Sequence, residues 1–545
     1  MGRSRVTGAI TAAALAAALL VACQDGVDAS IEEADAYLRA WSSADFEAMR
    51  GLVADPPGDF VAVHNAIWQD LHVRSAGFEA GSVERSGENA TVPVVATIGV
   101  GGLGNWEYDT SLPMVRVDGE WRVDWTPAVI HPDLREGMRM DRLRQETPRA
   151  PILAAGGQPL AAGGAAIGGR AVTVASDTIG QVRPVEAADL PELGPEYDEG
   201  DTIGGTGLEA HYEETLSGHP AGQVRLLAPS GDPTAVLEQF EGTPPEPVQT
   251  TIDLAVQRAA EDAISGASLP TAMVVVDIST GEVRAVANAA SPGFNRALSG
   301  VYPPGSTFKV VTASALLDSG MTPATVLPCP AEVQVGNSRP VSNHDFVDLG
   351  SVTLTQAFAQ SCNTTFGEQG AGITTELAAM AEEYGFNVEY DPGIESVPAS
   401  YPPPVGETGR VTAAIGQAEV TASPLHMASV AAAARGGTWR APSIIAGHDT
   451  GAEPRDLPAA VDALPNMMRQ VVFTGTGVEA LVPGRDMGGK TGTAEFGNED
   501  PPEAHGWFIG FVDDLAFAVL VEAGGAGGSV AAPIARQFIQ NLPAA

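Results

Sequence analysis

The chain has 545 residues, of which 44% are hydrophobic and 18% charged, which excludes a wholly disordered protein and leaves room for three or four domains at roughly 150 residues each. Asp and Glu number 68 against 29 Lys and Arg, a formal charge of −39 that would repel nucleic acid and argues against docking on anionic lipid by charge alone. Three cysteines, Cys23, Cys329 and Cys362, exclude a disulfide-dense scaffold and any thiolate zinc cluster.

The N-terminus reads as an address. Arg3 and Arg5 precede an apolar run from Ala9 to Ala22, too short to span a bilayer comfortably and shaped like a secretory signal. It ends Leu20-Val21-Ala22-Cys23, which resembles a bacterial lipobox. That resemblance implies a signal peptide over 1–22, lipidation at Cys23, a tether over 23–28 and a protein anchored by lipid to the outer face of the cytoplasmic membrane. An ordinary signal peptide, or an uncleaved anchor, is the other reading. Export leaves Cys329 and Cys362 as the remaining pair in a compartment that can be oxidising. They are read either as a disulfide or as two buried thiols.

Residues 29–137 read as a small α+β unit. Ile31, Ala34, Leu38 and Trp41 follow a helical spacing. Val115 to Trp125 alternates apolar and polar around Asp118-Gly119, a strong hairpin signal. Residues 138–247 are rich in Gly, Pro and acid, with Gly156-Gly157, Gly163-Gly164 and Gly168-Gly169 marking turns. Glu209 is expected there as a structural ion-pair residue.

Residues 248–545 read as one large α/β domain. Asp253 to Ile264 has helical spacing, and Ala272–Asp277 with Gly281–Ala287 reads as a buried hairpin. Trp507–Phe511 and Leu515–Val521 give two more strands, and Pro533–Leu542 a closing helix. A sheet built from both ends of the domain, with helices inserted between, is the expected architecture.

Lysine occurs only at Lys309 and Lys490; the other 27 basic residues are Arg. Guanidinium serves charge and ion pairing but stays protonated, so a neutral amine base must be Lys. Three short motifs surround these positions. In Pro304-Gly305-Ser306-Thr307-Phe308-Lys309 the Pro and Gly stop one segment and Val310–Leu317 continue as a helix. Ser306 thus sits at a helix N-terminus with Lys309 one turn on, beside backbone N–H groups and the positive end of a dipole. Ser361-Cys362-Asn363 follows a helical run from Leu354 to Ala359, so a hydroxyl and an amide share one side of a turn while Cys362 points inward. Lys490-Thr491-Gly492-Thr493 follows Gly488-Gly489 and reads as an edge strand beside a cleft. There Gly492 would admit a substrate and Lys490 would bind a carboxylate and depress a neighbouring amine. The two amines are expected to converge on the Ser306 hydroxyl.

S-x-x-K, S-x-N and K-T-G in this order resemble the penicillin-binding transpeptidases and serine β-lactamases. Asn295-Arg296-Ala297, Ile415-Gly416-Gln417 with Ser423-Pro424-Leu425, and His505 to Gly510 resemble the class B group in particular. Arg149 to Leu153, Gly207-Leu208-Glu209 and Leu216-Ser217-Gly218 are similar to its pedestal, or dimerisation, domain. The first domain is similar to an NTF2-like domain, and the whole layout to actinobacterial penicillin-binding lipoproteins. The fold implied is a multidomain α+β and α/β one: an NTF2-like domain, a β-rich pedestal, and a transpeptidase domain of antiparallel sheet flanked by helices with a helical subdomain.

The resemblance implies a peptidoglycan D,D-transpeptidase without metal or organic cofactor. Ser306 would attack the penultimate D-Ala of a stem peptide ending D-Ala-D-Ala, with Lys309 as base. Ser361 would pass a proton to the leaving amine and Asn363 would hold the peptide. The N–H groups of Ser306 and Thr493 would stabilise the oxyanion, and Lys490, Thr491 and Thr493 would bind the terminal carboxylate. β-Lactams would acylate Ser306, and a glycosyltransferase or a division or elongation complex would be the partner. A D,D-carboxypeptidase and a serine β-lactamase share this chemistry; a β-lactam sensor or an inert division scaffold are rivals of another class.

Overall fold

The computed structural model describes residues 29–161, 175–290, 293–497 and 502–543. The signal peptide, Cys23, the tether over 23–28, Gly163-Gly164 and Gly168-Gly169 lie outside the described residues. The chain forms two compact units.

The N-terminal unit opens with the helix Ala29–Ser42. Ala34, Tyr37, Leu38 and Trp41 are its buried stripe. Ile31, expected on that stripe, is 39% exposed, and Tyr37 fills the core instead. Trp41 stacks on Phe78 at 4.0 Å between ring centres. The sheet beside it runs in the order Val73–Ala80, Asn89–Val100, Gly104–Val117, Glu120–Val123, with Glu84–Ser86 added to the second strand. Val117 pairs with Glu120, so Asp118 and Gly119 are the two-residue turn, at φ 52° and 90°. That is the predicted hairpin, with positive φ at both central residues as its twist demands. Arg139–Arg144 and Gly222–Phe240 pair with one another in this same unit, and Met140, Val224 and Leu226 join its core. Two stretches of the 138–247 segment thus pack as strands of the N-terminal unit.

The second unit begins with short pairings. Val248–Gln249 lies parallel to Ile152–Leu153, and Thr202–Gly204 antiparallel to Val182–Pro184. Glu209 is buried here as an ion-pair residue, 2.8 Å from Arg149, whose other arm reaches Glu213 at 2.8 Å.

Its main sheet has five antiparallel strands: β1 (Thr271–Asp277), β2 (Val283–Ala289), β3 (Met487–Phe496), β4 (Glu503–Val512) and β5 (Leu515–Val521), in the order β2-β1-β5-β4-β3. Strands from both ends of the domain therefore meet, with some 200 residues inserted between, and β3 is an edge strand. Along β1, β4 and β5 the side chains alternate between two cores. Val274, Val276, Ile509, Phe511, Ala518 and Leu520 face one core, shared with the helix Pro424–Gly436. Met273, Val275, Phe508, Val512, Phe517 and Val519 face the other, with helices Leu254–Ile264 and Gly527–Asn541. Coverage of both faces explains why these strands read as unbroken apolar runs. The closing helix starts at Gly527 rather than at Pro533, which lies inside it. Pro533 is the seventh residue of the helix, past the first turn, so its ring removes one interior N–H donor from the helical ladder.

Candidate active site

The nucleophile turn is built by close backbone packing. Gly305–Phe308 forms one 3-10 turn, and the helix α1 (Lys309–Asp318) follows. Ser306 therefore stands one short turn ahead of the α-helix proper. Gly305 has φ +52°, and a Cβ there would meet Thr493 O at 2.7 Å, so glycine is needed to seat the turn on edge strand β3. Gly305 N donates to Gly416 O at 2.8 Å, and Trp507 Nε1 donates to Pro303 O at 3.0 Å. Gly492 serves the same seating: a Cβ there would lie 2.9 Å from Thr307 Cγ2 and 3.0 Å from Pro304 O. Its small size thus lets the strand approach the nucleophile turn, where substrate approach had been expected.

The second motif joins α2 (Leu354–Ala359) to α3 (Asn363–Gly372). A Thr353/Gln356 capping box starts α2, and Cys362 caps α3, its sulfur accepting from Thr365 N. Ser361 sits between them at φ +58°, a left-handed conformation that costs a residue with a Cβ about 1–2 kcal/mol. It aims the side chain at the two amines. Cys362 points inward, 1% exposed.

Both amines are fully buried. Lys309 Nζ lies 3.0 Å from Ser306 Oγ, 2.7 Å from Ser361 O, 3.3 Å from Ser361 Oγ and 2.5 Å from Asn363 Oδ1. Lys490 Nζ lies 2.8 Å from Ser361 Oγ and 3.0 Å from Thr491 O. The hydroxyl on which the amines converge is thus that of Ser361, and of the two only Lys309 contacts Ser306. The arrangement is a chain, Lys490–Ser361–Lys309–Ser306. Among the described residues neither amine is paired with a carboxylate. Burial, joined by the charge of Lys490, pushes Lys309 well below the usual amine range. Burial lowers Lys490 to about 7. The apolar wall is aromatic: Lys309 Nζ lies 5.7 Å from the centre of Phe366, and Lys490 Nζ 5.7 Å from that of Phe358.

Asn363 faces the site through Oδ1, while its Nδ2 donates to Ser342 O at 3.0 Å. Thr491 is 5% exposed, and its hydroxyl lies 2.5 Å from that of Thr476. Thr493 is half-buried and its carbonyl accepts from Gln417 Nε2 at 3.4 Å. That carbonyl points off the open edge of β3, and in a strand the same residue's N–H points the same way. Thr476 and Ser342 were not singled out from the sequence. Thr474-Gly475-Thr476-Gly477, between a helix and β3, was the available signal for Thr476; Ser342 acts through its backbone and had none.

The chain matches three known protein families. The penicillin-binding protein transpeptidase domain matches residues 271–540, an NTF2-like N-terminal transpeptidase domain matches 29–138, and a penicillin-binding protein dimerisation domain matches 171–250. The chain is 32% identical over 408 residues to the peptidoglycan D,D-transpeptidase PbpA of Mycolicibacterium smegmatis, covering 61% of this chain and 79% of that protein. It is similar to Pseudomonas aeruginosa PBP2 solved in complex with WCK 5153, at 25% identity and TM-score 0.60, over 74% of this chain and 96% of that one. A chain of a peptidoglycan synthase complex, solved to describe coordination of polymerization and crosslinking, is similar at 25% identity and TM-score 0.63, over 75% and 92%. The chain belongs to the class B penicillin-binding proteins and is a peptidoglycan D,D-transpeptidase.

Proposed function

We propose that Ser306 is the acyl-carrying nucleophile and that neutral Lys309 is its base. The observation that carries this reading is a buried amine 3.0 Å from the hydroxyl, paired with no carboxylate among the described residues. Ser306 Oγ attacks the carbonyl carbon of the penultimate D-Ala, and Lys309 Nζ takes its proton. The N–H groups of Ser306 and Thr493 stabilise the oxyanion, each donor worth roughly 3 kcal/mol. The C–N bond then breaks, and the proton passes through Ser361 to the departing D-Ala amine. An amine of a neighbouring strand attacks the ester, regenerates Ser306 and leaves a peptide cross-link. Lys490, with Thr493, binds the terminal carboxylate. Thr491 is held by Thr476 and orients the strand. Asn363 positions Lys309 through Oδ1 and holds the peptide of the donor stem.

β-Lactams acylate Ser306 by the same first step, and a glycan-polymerising enzyme is the partner class, as in the synthase complex that the chain resembles. Cys23 carries the lipid that tethers the protein to the outer face of the cytoplasmic membrane. A fluorescent penicillin is expected to label the wild type and not Ser306→Ala; equal labelling removes the nucleophile. Mass spectrometry of muropeptides made by the purified protein separates cross-linking from trimming: dimers are expected, and shortened monomers alone would make it a D,D-carboxypeptidase.

A further inference from the structure

Ser361 and Asn363 hold Lys309, yet they flank a residue that does neither. Cys362 is bonded to Cys329, at the end of the strand Val326–Cys329, across 33 positions of sequence. Residues 326–353 between Cys329's strand and α2 form a strap of short pairings. Val326–Cys329 pairs with Gly350–Thr353, and Glu332–Val333 with Val341–Ser342. The strap is largely exposed, with Val326 64% exposed, Phe346 65% and Val347 47%, and it is anchored to the domain core through Leu327 and Cys329, with Val341, Leu349 and Val352 packed against that core. It supplies Ser342 O, which orients the Asn363 amide.

The start of α3 is sewn to this strap. Thr364 Oγ1 donates to Pro330 O at 2.9 Å, Thr365 Oγ1 to Pro328 O at 2.7 Å, and Thr364 N to Asn343 Oδ1 at 3.2 Å. Asn343 Nδ2 in turn donates to Pro330 O and Val347 O, each at 2.9 Å. A largely exposed strap can exchange such bonds with water as it moves. The disulfide, whose sulfurs are both buried, is the tie it cannot exchange.

We propose that the Cys329–Cys362 disulfide is a positioning element of the active site. By pinning the strap to the start of α3 it holds Ser361 in its left-handed conformation and Asn363 on Lys309, so the oxidised enzyme is the competent one. The inference rests on the reading of Ser306 and Lys309 given above. Reduction by a dithiol breaks the Sγ–Sγ bond, puts two electrons and two protons on the cysteines and closes the dithiol to its own disulfide. The strap and the Ser361–Asn363 turn then move independently.

The test uses the full chain and a fluorescent penicillin, well below the melting temperature. Saturation kinetics separate the pre-acylation dissociation constant from the acylation rate constant. Cys329→Ala and Cys329→Ala/Cys362→Ala are expected to lower the rate constant tenfold or more with the dissociation constant within about threefold. Cys362→Ser, which keeps an oxygen to cap α3 but loses the bond, should fall equally. Wild type reduced by dithiothreitol, with two free thiols counted by mass, should behave likewise and recover on reoxidation; if the buried bond resists reduction, the variants decide. Variants that melt lower yet acylate at the wild-type rate overturn the proposal and leave a merely stabilising disulfide. Labelling of Ser306→Ala would instead overturn the nucleophile, whatever the cysteine variants do.

Discussion

Two regions of this molecule bury titratable groups among aromatic rings, and only one of them is chemically poised. In the N-terminal unit His64 is fully buried, with Phe60, Phe46 and Trp125 at ring distances of 4.3, 5.3 and 5.8 Å. Its Nδ1 lies 2.8 Å from Phe60 O and donates to it, and burial lowers its pKa to about 4. In the transpeptidase domain Lys309 and Lys490 are buried beside Phe366 and Phe358, with pKa lowered by the same cause. Desolvation is therefore common to both sites. What differs is the neighbour. The imidazole has spent its donor on its own helix, whereas each amine lies within reach of a hydroxyl. Here it is the amines, and not the imidazole, that have a hydroxyl proton within hydrogen-bond distance.

The sharpest way to break the contrast is Lys309→Arg. It keeps the charge but cannot become neutral, so acylation is expected to fall by about 10²–10⁴, the usual worth of a positioned base. Near wild-type acylation by that variant would remove the amine base from the mechanism. His64→Ala is the matched change in the other region. It should cost about 3 kcal/mol of stability by opening a cavity and leave the acylation rate at 25 °C unchanged, read by denaturant titration and penicillin labelling.

The two regions also respond to pH in separable windows. His64 is neutral when folded down to about pH 4 but takes a proton near 6.5 when unfolded. Between those values the unfolded chain binds more protons, so stability is full above 6.5 and is lost as pH falls toward 4. The loss is about 3 kcal/mol, and His64→Leu should flatten it. The activity of the free enzyme should change in the other window. Neutral Lys490 no longer attracts a carboxylate, so kcat/KM for a D-Ala-D-Ala peptide should decline above about pH 7, tenfold per unit at most. Lys490→Arg does not titrate there, and a decline that persists in it would assign that limb elsewhere. The smallest effect expected is at the solvent-screened Arg183–Asp189 pair, 2.5 Å apart, where Asp189→Ala should shift the denaturant midpoint least of all these variants.

Legibility followed range along the chain. The Asp118-Gly119 hairpin, the apolar runs of β1 and β5, and the turn that sets Ser306 one step before Lys309 were readable because each rests on contacts a few residues long. The scarcity of lysine was readable because it is a count. Of Ile31, Ala34, Leu38 and Trp41 only Ile31 falls off the buried stripe, because packing against the sheet takes in Tyr37, about 120° from it around the helix, instead. The start of the closing helix at Gly527 was hidden by its glycines. Nothing local marks that Thr476 meets Thr491, that Ser342 orients Asn363, or that Gly492 is small for the sake of Pro304 and Thr307.

Taken alone, the order of residues determined which groups were available: two amines, the hydroxyls and amide of the motifs, one cysteine pair, and two apolar ends able to share a sheet. Tertiary structure decided which hydroxyl each amine reaches, and that Ser361 links them. The reason is that proton affinity and hydrogen bonding depend on distances of about 3 Å and on exclusion of water. Residues from three distant segments acquire both only when the sheet closes.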